Sequence, residues 1–91
     1  MIRSYRHKGL KELFETGDTA RIQKQLHERC LRRLGALNKA RCPDDMNIPG
    51  FNFHALRGKP VRYTVHINGP WCITFEFEGS HACRVDFEQY H

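Results

Sequence analysis

Six histidines and four cysteines are spread over 91 residues, and the chain closes on "FEQYH", residues 87–91. Imidazole exchanges a proton near neutrality, and thiolate is a nucleophile and a metal ligand. These side chains are therefore the first candidates for chemistry. Chain ends are usually frayed and tolerant of change, so a terminus written as Tyr90 and His91 asks for a reason. Either Tyr90 packs at a strand end and His91 faces solvent, or the terminus carries chemistry. The residues alone leave both open. Cys30, Cys42, Cys72 and Cys83 are even in number, which in a secreted chain suggests two disulfides and in a reducing compartment free thiols. A zinc site would combine some of them with His54, His66 or His81. No C-x-x-C or H-x-x-x-H pair is present, so free thiols are expected and a metal is not.

The elements that position these groups come next. The length suits one domain, residues 1–91, with a single modest core. No apolar run approaches the roughly 18 residues of a membrane helix. The start, "MIRSYRHKGL", lacks the apolar stretch of a signal peptide. A cytoplasmic protein without membrane contact is expected. Fifteen Lys and Arg against ten acids give a net charge of +5. That balance favours polyanions, nucleic acid first, or an acidic protein partner.

"RSYR" (3–6) reads as a short edge strand, and "HKGLKELFETGD" (7–18) as a brief helix with Leu10, Leu13 and Phe14 on one side. Gly17 is placed to end it in a left-handed cap. Asp18 or Thr19 is expected to cap a longer helix running to about Asn38. Along it Ile22, Leu26, Cys30, Leu34 and Leu37 form one stripe at helical period, which makes Cys30 a core thiol. Arg21, Lys24, Arg32 and Lys39 fall on the opposite side, with Arg29 and Arg33 at the boundary. A solvated face is the first reading of these and a partner-binding face the second.

"CPDDMNIPG" (42–50) is a loop, with room for one helical turn. Beyond it the period changes to two, through "FNFHAL" (51–56), "RYTVHI" (62–67), "WCITFEF" (71–77) and "ACRVDF" (82–87). The short links "RGKP", "NGP" and "GSH" predict an antiparallel meander for the last three strands. Pairing Ile67 with Trp71, Val65 with Ile73 and Tyr63 with Phe75 gathers the apolar side chains on one face. A three-residue loop at 79–81 then sets Phe77 against Cys83, Phe75 against Val85 and Ile73 against Phe87. The other face receives Arg62, Thr64, His66, Cys72, Thr74, Glu76, Arg84, Asp86 and Glu88, with Tyr90 next if the strand runs on. Trp71 and the phenylalanines alternate as core residues, so no base-stacking platform is read in them. The expected fold class is α+β: two N-terminal helices packed on the apolar face of a curled, mainly antiparallel sheet.

In order and spacing, "HKGLKELFETGD", "PGFNFHALRG", "PWCITFEFEG" and "VDFEQYH" resemble the HigB-type toxins of the RelE/ParE superfamily, over nearly the whole chain. The resemblance implies a RelE-like fold of the microbial ribonuclease type. It implies the toxin of a type II toxin–antitoxin pair: a ribosome-dependent endoribonuclease that cuts messenger RNA at the small subunit's decoding site, with no cofactor. The implied partner is a helix-turn-helix, HigA-like antitoxin, through which operator DNA is reached only indirectly. The basic side of the long helix is a candidate for the antitoxin contact. The family's histidine falls on His54, its following basic residue on Arg57, and its terminal Asp-Tyr-His on Gln89, Tyr90 and His91. Its arginine in the "NWRITF" segment falls on Cys72.

Under that resemblance His54, Tyr90 and His91 are the catalytic candidates. RNA brings its own nucleophile, the 2′-hydroxyl. A base must take its proton, an acid must protonate the leaving 5′-oxygen, and positive charge must meet the phosphorane. His54 and His91 would share the first two roles and Tyr90 would orient a group or stack on a base. Arg57, Lys59, Arg62 and Arg84 would hold phosphate. Cys72 supplies no charge, which leaves a slow enzyme, substitution by Arg62 or Arg84, or a weakened homologue acting mainly as an antitoxin-binding module. A Cys72–His66 nucleophile lacks a third, orienting group. A gyrase-poisoning toxin of the ParE branch is the remaining alternative, against which His54, Tyr90 and His91 argue.

Overall fold

Leu10, Leu13, Leu34, Leu37, Val65, Ile73, Phe75 and Val85 are all fully buried, and together they join two helices to the apolar face of one sheet. Each such side chain contributes roughly 1.5–3 kcal/mol by leaving water. The computed structural model describes residues 1–89. Helix α1 spans Lys8–Thr16 and α2 spans His27–Lys39; strands β1 (His54–Leu56), β2 (Arg62–Asn68), β3 (Trp71–Glu78) and β4 (His81–Gln89) follow. The four strands form one antiparallel sheet in the order β1-β2-β3-β4. This is the expected α+β architecture.

Local chemistry explains the helices. His7 caps α1 by accepting the Leu10 N–H on Nδ1 at 3.2 Å. Gly17, at φ 87°, closes it by donating to the Leu13 carbonyl; a residue with a Cβ would be strained there. The second helix starts later than expected, because Asp18 and Thr19 do not cap it. The Thr19 hydroxyl accepts the Arg21 N–H two residues on and donates to Glu12 Oε1. Such local bonds compete with helical ones. A 3-10 turn at Lys24–Leu26 leads into α2 instead. Ile22 precedes the helix yet is buried with the stripe it was read into. Arg33, expected at the edge of a solvated face, is buried. Its Nε donates to the His66 carbonyl at 2.9 Å and its guanidinium lies 4.5 Å from the centre of the Phe51 ring.

The sheet keeps the predicted alternation and departs from the predicted register in two places. Tyr63 pairs with Phe75 and Val65 with Ile73, but an irregularity after His66 leaves Asn68, not Ile67, opposite Trp71. In β4 Ile73 pairs with Phe87, and then an extra residue sets Glu76 against Cys83 and Phe77 against Ala82. The bulge contains Arg84 at φ 49°, and it shortens the expected loop at 79–81 to the Gly79–Ser80 turn between Glu78 and His81. Strand β1 is confined to His54–Leu56 rather than the predicted 51–56. In place of the short edge strand expected at "RSYR", residues 2–5 lie parallel to β4 through two isolated bridges, Ile2–Ala82 and Tyr5–Val85. They cover the free edge of that strand, which would otherwise be open to further pairing.

Candidate active site

With the helices on one face of the sheet, the other face is left to β1, β2 and β3. Along β1 the alternation turns His54 and Leu56 to that side, opposite Thr64 and Arg62 of β2. His66, two residues beyond Thr64, lies opposite Cys72 of β3, and Cys72 lies opposite Glu88 of β4. These positions frame a cleft of about 560 Å³ lined by Asn52, His54, Leu56, Thr64, His66 and Cys72, with Gly69 and Pro70 at one end. His54 is exposed, and its Nδ1 lies 3.2 Å from the Asn52 carbonyl oxygen. A carbonyl only accepts, so Nδ1 is the donor in this contact, and in the neutral ring Nε2 is then the nitrogen that carries the lone pair. His66 Nε2 likewise donates to the Gly69 carbonyl at 2.9 Å. Cys72 is 7% exposed, with Sγ 3.9 Å from the Pro70 carbonyl.

Beside this cleft, and sharing Leu56 with it, lies a smaller one of about 300 Å³ lined by Arg6, Arg57, Lys59, Arg62 and Glu76. Its chemistry is organised by Glu76, whose carboxylate is buried. Oε2 accepts from Arg62 Nη1 at 2.7 Å and Oε1 from Arg84 Nε at 2.7 Å. Arg6 Nη2 stands 3.7 Å away. Burial pushes the Glu76 carboxyl up, and the Arg84 and Arg62 guanidiniums outweigh it and hold it below the usual carboxylate range. Arg62 also donates through Nη2 to Thr74 Oγ1 at 2.8 Å and to the Arg84 carbonyl at 3.0 Å. Arg84 adds Glu78 at 3.1 Å, and the Glu76 and Glu78 carboxylates raise its pKa.

The candidates read from the sequence thus divide. His54 lies at the main cleft, together with Cys72 and His66. Arg57 and Lys59 are exposed in the β1–β2 connection, at the smaller cleft. Arg62 and Arg84, expected to hold phosphate, are engaged by internal carboxylates. Tyr90 and His91 lie outside the described residues. All four cysteines are free thiols, Cys42 alone being exposed. No three His, Cys, Asp or Glu side chains among the described residues come close enough to share a metal ion. Sequence reasoning missed Arg6 at the smaller cleft, and no local signal marks it. It arrives there because the N-terminal segment runs along β4.

The chain matches the HigB-like toxin family, described as RelE-like toxins of the type II toxin–antitoxin system HigB, over residues 3–91. It is 36% identical over 92 aligned positions to the Endoribonuclease HigB of Proteus vulgaris, and the alignment covers both chains completely. The chain belongs to the HigB-like toxin family. As a type II toxin it has an antitoxin for a partner. No helix among the described residues is long and apolar enough to cross a membrane.

Proposed function

We propose that this toxin is an endoribonuclease that cleaves messenger RNA on the ribosome by acid–base chemistry, without a metal. The observation that carries this reading is the state of His54. It is exposed at the mouth of a cleft, with Nδ1–H directed to the Asn52 carbonyl, so that in the neutral ring Nε2 is the nitrogen open to accept a proton. That is the form a general base needs. His54 Nε2 takes the proton of the 2′-hydroxyl, O2′ attacks the adjacent phosphorus, and the bond from phosphorus to O5′ breaks. His91 donates the proton that O5′ requires, and Tyr90 orients the reacting group. The products are a 2′,3′-cyclic phosphate and a free 5′-hydroxyl. Arg57 and Lys59 supply positive charge to the substrate. The antitoxin is of the helix-turn-helix, HigA-like kind, and the small ribosomal subunit presents the message. The name of the Proteus vulgaris relative, an endoribonuclease, supports the reading.

Replacing His54 with alanine tests it. The side chain is exposed, so the variant folds, and losing a general base lowers cleavage about 10²–10⁴-fold and relieves growth arrest. Undiminished cleavage of messages on purified ribosomes would refute the assignment. A second reading has one observation in its favour. The main cleft has Cys72 where the resemblance places an arginine, and Arg62 is held by Glu76. On that reading the chain cuts slowly and acts chiefly by binding its antitoxin, and expression of the parent chain alone causes no arrest.

A further inference from the structure

The cations around the smaller cleft are not equivalent. Arg62 is 14% exposed and directs its guanidinium inward, onto Glu76, Thr74 and the Arg84 carbonyl. Arg6 is 49% exposed and approaches Glu76 only to 3.7 Å, beyond hydrogen-bond length. Its backbone is pinned, the Arg6 N–H donating to the Val85 carbonyl at 2.8 Å. Arg57 and Lys59 are exposed and pair with no carboxylate among the described residues. Three outward charges therefore line one groove whose inner wall is already neutralised. Leu56 borders this groove and the His54 cleft alike. It follows His54 by two positions on one face of β1, roughly 7 Å along the strand. An anion in the groove is thus a short step from His54.

We propose that Arg6, with Arg57 and Lys59, binds the phosphate of an RNA strand next to the one that is cleaved, so that the N-terminal segment supplies a substrate-binding residue. This rests on the endoribonuclease reading and goes beyond it in naming Arg6 and the path of the strand. Glu76 keeps Arg62 and Arg84 from competing for the same phosphate; Arg57 and Lys59 have no carboxylate partner among the described residues, and Arg6 has only its longer contact with Glu76.

The test uses a single-stranded RNA methylated at every 2′-oxygen, which binds but cannot be cut, with affinity followed by fluorescence anisotropy from about 50 to about 200 mM salt. Removing one cation from a phosphate of single-stranded nucleic acid lowers the salt slope by about 0.7, so over that range the affinity of Arg6→Ala falls about 2.6-fold less than that of the parent. It binds more weakly at low salt, Arg57→Ala and Lys59→Ala behave likewise, and Arg6→Lys restores the slope. Message cleavage by Arg6→Ala on ribosomes falls through KM. An unchanged slope in Arg6→Ala, with cleavage still abolished by His54→Ala, overturns the groove and leaves the endoribonuclease reading standing. Cleavage that survives His54→Ala overturns that reading instead. If Arg6→Ala is too unstable to measure, Arg6→Lys and Arg57→Ala decide, since the first keeps the charge near Glu76 and the second touches no described carboxylate.

Discussion

Glu76→Gln removes one charge from the buried centre of the polar face, and its cost can be worked from the bonds Glu76 makes. Its carboxylate accepts two of 2.7 Å, from Arg62 and from Arg84. A hydrogen bond to a charged group contributes about 1.5–3 kcal/mol, and this applies to Arg62, whose side chain is 14% exposed. The Arg84 side chain is 39% exposed, so solvent screens its pair toward the roughly 0.2–1 kcal/mol of surface ion pairs. Glutamine offers one oxygen and turns amide hydrogens toward the other guanidinium, so both bonds cannot be kept. The expected loss is about 3 kcal/mol, against about 5–14 kcal/mol for a protein of this size. In thermal terms this lowers Tm by roughly 12–24 °C. The pH dependence carries a sign. Because the folded carboxyl titrates below its unfolded counterpart, its contribution is fully present above about pH 4.3 and fades as pH falls toward the folded value. Urea unfolding of the two proteins at pH 7 and across the acid range should show a gap that closes on acidification. A gap below about 1 kcal/mol at pH 7, or one that persists unchanged into acid, would refute the account.

Cys72→Arg places a guanidinium in the His54 cleft, with Glu88 opposite it on β4. One transition-state charge contact accounts for about 10²–10³ in rate. Cleavage of messages on programmed ribosomes should rise toward that limit, and an unchanged rate would remove position 72 from the site. Gly9→Ala tests the packing of α1: an added Cβ would meet His7 Cε1 at 2.7 Å and Arg21 Cβ at 2.8 Å. That crowding costs about 1–3 kcal/mol, outweighing the gain of roughly 1 kcal/mol in helix propensity. A variant more stable than the parent in urea would show that the neighbours give way.

The parts of this fold legible in the sequence are those governed by repeated pattern. Alternation through β2 and β3 decides which side chains face the helices, because a slip of one residue would turn all of them to water. Hence Val65 opposite Ile73, and His66 opposite Cys72, were readable. Single departures from pattern were not. The bulge at Arg84 depends on a left-handed backbone held between Ser4 and Glu76, groups that only the tertiary structure assembles. The delayed start of α2 turns on which partner the Thr19 hydroxyl finds, Glu12 or its own helix. Arg33 could be placed only at the boundary of the charged side because its acceptors, the His66 and Gly50 carbonyls, lie far along the chain. At the candidate site, residue type and neighbours singled out His54, and the structure sets it at a cleft. The clamp on Glu76 was not legible, since alternation assigns a face and says nothing of which acids and arginines on that face will pair.

That clamp bears on where an RNA strand can run. A cation buried against a carboxylate gives little to a second anion, because binding the newcomer means losing bonds already made in a low-dielectric setting. Arg62 is in that position, the more exposed Arg84 is engaged by Glu76 and Glu78, and Cys72 brings no charge, so the middle of the polar face has no uncommitted cation among the described residues. Among the described residues the cations open to a substrate lie to one side, at Arg57, Lys59 and Arg6, the last with only a 3.7 Å contact to Glu76. On the proposed reading a strand crossing the face would be pulled toward the β1–β2 connection, past His54, rather than along β3. The same asymmetry explains why restoring an arginine at position 72 should act on the rate. On the mechanism proposed above it would meet the charge that develops at phosphorus beside His54, a place the groove's cations, one step along the strand, do not occupy.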